Sequence, residues 1–133
     1  MLLKPNMVVA GHDFPRPVLA VEVAAATLRV LRRTVPVAVP GIVFLSGGQG
    51  DQEATRNLQA MNASPQRGPW PLSFSFGRAL QDAPIRAWRG HPTGVEAGQE
   101  ALFHRARCNS AAAAGAYDPR MEEQGPSTSP MVH

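Results

Sequence analysis

The sequence has few residues of several kinds, and each shortage argues against a class of protein. It contains one cysteine in 133 residues, Cys108, so neither an intrachain disulfide nor a cysteine-based metal site is expected. No apolar run approaches the ~18–20 residues that a membrane-spanning helix needs, so no such span is predicted. The first residues also lack the apolar core of a signal peptide.

Charged residues are scarce as well, at 17% of the chain, against about 25% in typical soluble domains. The formal net charge is only +3, although the isoelectric point is near 10.0. The arginines are scattered, with neither a basic stripe nor interleaved aromatic residues, so nucleic-acid binding is not predicted. The apolar fraction of 44% is that of a globular protein, and the length suits one domain.

Lysine is the rarest of the charged residues. Twelve of the thirteen basic residues are arginine, and Lys4 is the single lysine. Arginine stays charged in proteins, whereas a buried lysine can lose its proton. The lone lysine therefore indicates either that an amine is needed at this position or that an arginine-rich composition left one lysine by chance.

What the sequence does contain is an alternation of short apolar runs with helical stretches. The apolar runs predict strands at 1–10 (interrupted at Pro5), 41–46 and 72–76. The other stretches predict helices at 19–34, 51–62, 78–88 and 95–114. From Tyr117 the chain is polar, and residues 117–133 are predicted to be a disordered tail. Strands alternating with helices favour right-handed βαβ units and a parallel sheet, which is an α/β fold.

Three features fall at the carboxyl ends of these strands, where parallel sheets bind their ligands. Lys4 lies in an apolar run, where desolvation would disfavour its charged form and leave free amine for a Schiff base. The alternative is a lysine at the margin of the sheet with its amine in water. The loops around Gly47 and Gly77 can bring backbone N–H groups to an anion, and Arg78 adds a guanidinium that suits phosphate. Either loop alone can equally be a tight turn that binds nothing.

Several motifs resemble those of class I fructose-1,6-bisphosphate aldolases, in the same order and with similar spacing. The matching runs are residues 2–8 (Leu-Leu-Lys-Pro-Asn-Met-Val), 31–36, 39–41, 44–49 (Phe-Leu-Ser-Gly-Gly-Gln), 74–81, 105–110 and 115–117. The resemblance implies that residues 1–116 are the C-terminal part of a TIM (β/α)8 barrel, comprising strands 6–8 and their helices. The family's other catalytic groups belong to the first five strands, which this sequence does not include.

The resemblance also implies roles for individual residues. Lys4 matches the Schiff-base lysine, which forms an iminium with a ketone substrate and needs no metal or other cofactor. The residues implied to bind a substrate phosphate are Ser46, Gly47, Ser75, Gly77 and Arg78. Phe76 stands where many relatives have tyrosine, so a hydroxyl is missing there. The tail after Tyr117 resembles the shorter ending of bacterial relatives and is assigned no catalytic role.

The implied activity is the reversible cleavage of fructose 1,6-bisphosphate to dihydroxyacetone phosphate and glyceraldehyde 3-phosphate, in glycolysis and gluconeogenesis. The implied setting is a cytoplasmic homotetramer. Two alternatives stay open: an inactive remnant that at most binds a sugar phosphate or complements an N-terminal part, and an independent βαβ binding module. Three parallel strands leave two unpaired edges and an unfilled barrel interior. We therefore expect the chain alone to be poorly soluble or partly unfolded, with negligible aldol cleavage.

Overall fold

The computed structural model describes residues 1–125, in which helices and short strands alternate as predicted. The elements are α1 (Ala20–Thr34), β1 (Ile42–Phe44), α2 (Asp51–Ala63), β2 (Leu72–Phe74), α3 (Arg78–Trp88) and α4 (Val95–Ala113). Short 3-10 helices, Pro92–Gly94 and Pro119–Gln124, precede and follow α4. The four predicted helices are confirmed at nearly the predicted bounds. None of the helices within residues 1–125 combines the length and apolar character required to cross a membrane.

The sheet is small and parallel. β1 pairs with β2 along all three of its residues. On the other side of β1, Leu3 forms a parallel bridge to Ile42, and the Leu45 amide donates to the Pro5 carbonyl at 2.8 Å. The parallel arrangement is confirmed, but the strand predicted at 1–10 is reduced to this bridge. Proline has no N–H with which to extend the ladder.

The first residues of the chain form an open edge, and this changes the surroundings of Lys4. Among the described residues, this segment has a neighbouring strand only on the side of β1. Lys4 is exposed there. Of the two interpretations of Lys4, the structure agrees with a lysine at the margin of the sheet and not with a buried one.

The hydrophobic core lies between the sheet and the helices α1, α2 and α4. Ile42 and Phe44 on one face of β1 have no exposed surface, and Val43 on the opposite face is half-buried. Asn62 of α2 joins two further elements to this core. Its Nδ2 donates to the carbonyl oxygens of Leu72 and Ala112, each at 3.1 Å. The start of β2 and the end of α4 are thus fixed to the same helix.

The segment after α4 is folded where the structure describes it. Tyr117 is buried, and its hydroxyl donates to Glu122 at 2.7 Å. The prediction of disorder from Tyr117 onward does not hold for residues 117–125, because polar groups in this segment find buried partners. Residues 126–133, which that prediction also covered, lie outside the described residues.

Candidate functional site

The loop after β1 presents backbone groups at the carboxyl end of the sheet. Ser46 is buried, and its carbonyl accepts a hydrogen bond from the Gln49 amide at 3.0 Å. Gly48 has a φ of +77°, in the left-handed region that glycine adopts without steric cost. α2 begins at Asp51, so the positive end of its dipole directly follows the loop.

Asn6 fastens the first segment of the chain to this loop. Its Nδ2 donates to the Gly47 carbonyl at 3.1 Å, and its Oδ1 lies 3.5 Å from the Gln49 Nε2. The Gln49 Oε1 in turn accepts from the Asn57 side chain of α2 at 2.9 Å. A Cβ on Gly47 would lie 2.9 Å from the Asn6 nitrogen, so the contact favours glycine. Because Lys4 lies two residues before Asn6, its backbone is held relative to the glycine loop.

The loop after β2 lies beside the first loop. The Ser75 amide donates to the Phe44 carbonyl at 2.7 Å, and Arg78 is the exposed first residue of α3. The two loops line one cleft of about 470 Å³, whose residues are Leu45, Ser46, Gly47, Gly48, Gln49, Gly77, Arg78 and Asp82. Backbone N–H groups, two helix N-termini and one guanidinium suit an anion.

Four of the six predicted site residues thus line one cleft: Ser46, Gly47, Gly77 and Arg78. Lys4 and Ser75 are not among its lining residues. Phe76 is turned into the core, with its ring centroid 5.5 Å from that of Phe74. The phenyl ring at this position therefore serves packing.

A second set of polar side chains, here named the tail cluster, consists of Thr55, His104, Arg105, Tyr117 and Glu122. The Glu122 carboxylate lies 2.5 Å from an Arg105 nitrogen and 3.1 Å from the His104 Nε2. The other terminal nitrogen of Arg105 donates to the Thr55 hydroxyl at 2.6 Å. Burial acts to raise the pKa of Glu122, but hydrogen bonds from Tyr117 and Arg105 outweigh it and leave that pKa lowered.

The side chains of His104, Cys108 and Glu122 place donor atoms within 4.8 Å of one another, a set of types that zinc accepts. Burial, with the charge of Glu122, raises the pKa of the Cys108 thiol to about 11, so the sulfur is protonated at neutral pH. Glu122 is already paired with the buried guanidinium of Arg105. A cation would have to displace both the thiol proton and the guanidinium, so this donor set does not fit a resident metal.

Sequence reasoning missed the roles of Asn6, Arg105 and Glu122. Asn6 belongs to the motif at residues 2–8, but only the fold shows that its side chain reaches the glycine loop. Arg105 lies on the α4 face that buries Ala101 and Cys108, and a charged residue on a buried helix face needs a partner. That signal was readable, whereas nothing in the spacing identified Glu122, 17 residues further on, as the partner.

Parallel βαβ units define an α/β protein, and glycine loops at the strand ends are where this class binds its ligands. A family model described as "Glycolytic: Fructose-bisphosphate aldolase class-I" matches residues 1–133. The chain belongs to the class-I fructose-bisphosphate aldolase family, whose members are lyases built on a TIM barrel. The resemblance seen in the motifs is confirmed.

Curated relatives and a solved structure agree with this assignment. Fructose-bisphosphate aldolase B of Gallus gallus is 55% identical over 116 residues, covering 87% of this chain and 32% of its own length. The aldolase of Echinococcus multilocularis is 51% identical over 121 residues, covering 91% of this chain and 33% of its own length. A structure of Plasmodium falciparum aldolase, in complex with TRAP and a small-molecule inhibitor, has a TM-score of 0.82 at 48% identity. It covers 88% of this chain and 33% of that one, so the chain spans about a third of these proteins.

Proposed function

We propose that this chain supplies strands 6–8 and their helices, in residues 1–116, to a class I aldolase in which Lys4 forms the Schiff base. The observation that carries the proposal is the junction at Asn6, whose amide binds the Gly47 carbonyl at 3.1 Å. That contact fixes the backbone of the lysine segment beside the glycine loop. An amine and an anion site are needed side by side to bind a ketose phosphate.

The chemistry proposed for Lys4 is imine formation. The free amine attacks the C2 ketone of fructose 1,6-bisphosphate, and water leaves to give an iminium. A general base from the other barrel strands would then remove the C4 hydroxyl proton, and the iminium accepts the electron pair released as the C3–C4 bond breaks. Glyceraldehyde 3-phosphate departs, and protonation and hydrolysis of the remaining enamine release dihydroxyacetone phosphate and the amine. Because Lys4 is exposed here, the surroundings that favour a free amine would have to come from the other barrel strands.

The cleft between the two loops is the proposed phosphate site. The residues that would hold the phosphate are Ser46, Gly47, Ser75, Gly77 and Arg78, through backbone N–H groups, hydroxyls and the guanidinium. Arg78 can form paired hydrogen bonds to two phosphate oxygens. The proposed substrate is a phosphorylated sugar, and the proposed setting is the family's cytoplasmic homotetramer.

The position of Lys4 outside the cleft favours a second candidate. In this alternative the chain is an inactive remnant that at most binds a sugar phosphate, or that complements a separate N-terminal part. Both candidates predict negligible steady-state cleavage by the chain alone. They differ in whether Lys4 forms an imine.

Borohydride trapping with dihydroxyacetone phosphate separates the two candidates. Lys4 is the only lysine, so the α-amino group of Met1 is the only other primary amine that can form an adduct. We expect intact-mass and peptide analysis to show one adduct on Lys4, and Lys4→Arg to abolish it while keeping the charge. An adduct of equal yield in Lys4→Arg would place the reaction at the N-terminus and contradict the proposal.

Complementation tests the larger assignment. The N-terminal two-thirds of the Gallus gallus aldolase B, ending where the match to this chain begins, would be co-expressed with this chain. We expect cleavage of fructose 1,6-bisphosphate to appear with the wild-type chain and to be absent with Lys4→Arg. If Lys4→Arg supported equal activity, Lys4 would not be the Schiff-base residue.

A further inference from the structure

We propose that Arg105 is a positioning residue that, together with Glu122 of the tail, sets the first turn of α2 and so the glycine loop before it. The inference rests on the proposed phosphate role of that loop. It extends the site to a segment, residues 117–125, that does not line the cleft. The tail cluster connects the two regions.

Arg105 is buried although it carries a charge. Only 3% of this residue is exposed, and an arginine cannot discharge itself by losing a proton. Its guanidinium must therefore keep fixed partners. Those partners are the Glu122 carboxylate at 2.5 Å and the Thr55 hydroxyl at 2.6 Å.

Arg105 and Thr55 both contact the start of α2. The Thr55 hydroxyl can donate to the Asp51 carbonyl at 2.9 Å or to the Asn109 Oδ1 at 2.6 Å, and an Arg105 nitrogen lies 3.4 Å from the same Asp51 oxygen. Asp51 is the first residue of α2 and follows Gly50 directly. The guanidinium thus holds the helical turn whose N–H groups follow the proposed anion loop.

The tail supplies the counter-charge of Arg105 through Glu122. Glu122 lies in the 3-10 helix Pro119–Gln124, and its second carboxylate oxygen accepts from the Tyr117 hydroxyl at 2.7 Å. Without this carboxylate the buried guanidinium would lack a counter-charge. It would shift toward water and withdraw from Thr55 and Asp51. The folded tail therefore sets the geometry of the phosphate loop.

Two pairs of variants test this coupling in the chain. Glu122→Gln removes the counter-charge but keeps the shape, and Arg120→Gln is its control, since Arg120 lies in the same tail segment and pairs with Asp118 at the surface. Thr55→Val removes the hydroxyl, and Thr55→Ser restores it. The probe is inorganic phosphate, with its dissociation constant measured by ³¹P NMR well below each unfolding midpoint.

We expect Glu122→Gln and Thr55→Val to weaken phosphate binding by about 2- to 30-fold, the range that substitutions between coupled sites produce. Arg120→Gln and Thr55→Ser should bind like the wild type. If all four variants bind phosphate with wild-type affinity, and only the unfolding midpoints differ, the positioning role is wrong while the phosphate site stands.

Amide hydrogen exchange gives a second readout that does not depend on phosphate. The Ala54 amide donates to the Gly50 carbonyl at 2.9 Å, and Leu28 in the middle of α1 serves as the reference. We expect Glu122→Gln to speed exchange at Ala54 and leave Leu28 unchanged. Equal acceleration at both would indicate general destabilisation and overturn the positioning role. A wild-type chain that binds no phosphate would instead refute the proposed phosphate site, and Ala54 would still decide the coupling.

Discussion

The first and last segments that the structure describes lie beside the same core but differ in how their charged side chains are placed. The N-terminal segment, residues 1–6, is joined to β1 and its flanking residues by hydrogen bonds at Leu3, Pro5 and Asn6, but both Leu2 and Lys4 are exposed. The C-terminal region, residues 95–125, is held by a buried ion pair between Arg105 and Glu122. The candidate nucleophile is thus on an exposed edge, whereas the ion pair is buried. A strand in a closed barrel has neighbours on both sides, so the open side of this segment is where further strands would pair.

The largest effect should come from the core that supports both ends. Phe44 has no exposed surface, so Phe44→Ala should lower the free energy of unfolding by about 3–5 kcal/mol through lost burial and a cavity. Urea unfolding followed by tryptophan fluorescence measures the change, since Trp70 is buried and becomes exposed on unfolding. The exposed Phe14 is the control, and Phe14→Ala should have little effect. A loss similar to that of Phe14→Ala would mean that the two ends do not share this core.

A smaller loss of unfolding free energy is expected from substituting Asn62, which joins the core to α4 and β2. Asn62→Leu keeps a similar volume but leaves the Leu72 and Ala112 carbonyls without this donor, at a cost of about 1–3 kcal/mol. The same urea experiment applies, with Gln52→Leu on the exposed face of α2 as the matched control. If the two variants were equally stable, Asn62 would not be fixing α4 to β2.

Acid should weaken the C-terminal region through Glu122. The pKa of this carboxyl is lowered below its ordinary value of 4.5, so its charged form stabilises the folded chain. That contribution is present above about pH 4.5 and is lost as the pH falls through the lower, folded value. We expect the difference in unfolding free energy between the wild type and Glu122→Gln to shrink as the pH is lowered from 7 to 3. A difference that stayed constant would show that the ion pair does not contribute.

The helices and the parallel pairing of β1 with β2 were predictable because periodicity and glycine breaks are local signals. That four predicted residues line the cleft between the two loops was predictable for a related reason, since the ends of parallel strands share one edge. The sequence could not decide between a buried and an exposed Lys4, because an apolar run looks the same in a central strand and at an open edge.

The folded part of the tail, residues 117–125, was missed for a physical reason as well. Composition from Tyr117 onward is polar, and polarity indicates disorder only when the polar groups have no buried partners. Here Glu122 pairs with Arg105 across 17 residues, a tertiary contact that composition does not encode. A lone charged residue on the buried face of α4 was the one clue that the sequence offered.

The smallest change in the free energy of unfolding should follow substitution of Lys4 itself. Its side chain is exposed, so Lys4→Ala should change the free energy of unfolding by less than about 0.5 kcal/mol. The same substitution should abolish the borohydride-trapped adduct, so reactivity and stability would separate at this residue. Asn6→Ala is the informative comparison, because it removes the hydrogen bond to Gly47 while leaving the amine in place. If Lys4→Ala destabilised the chain more than Asn6→Ala, the lysine would be a structural residue, and the contrast between the two ends would fail.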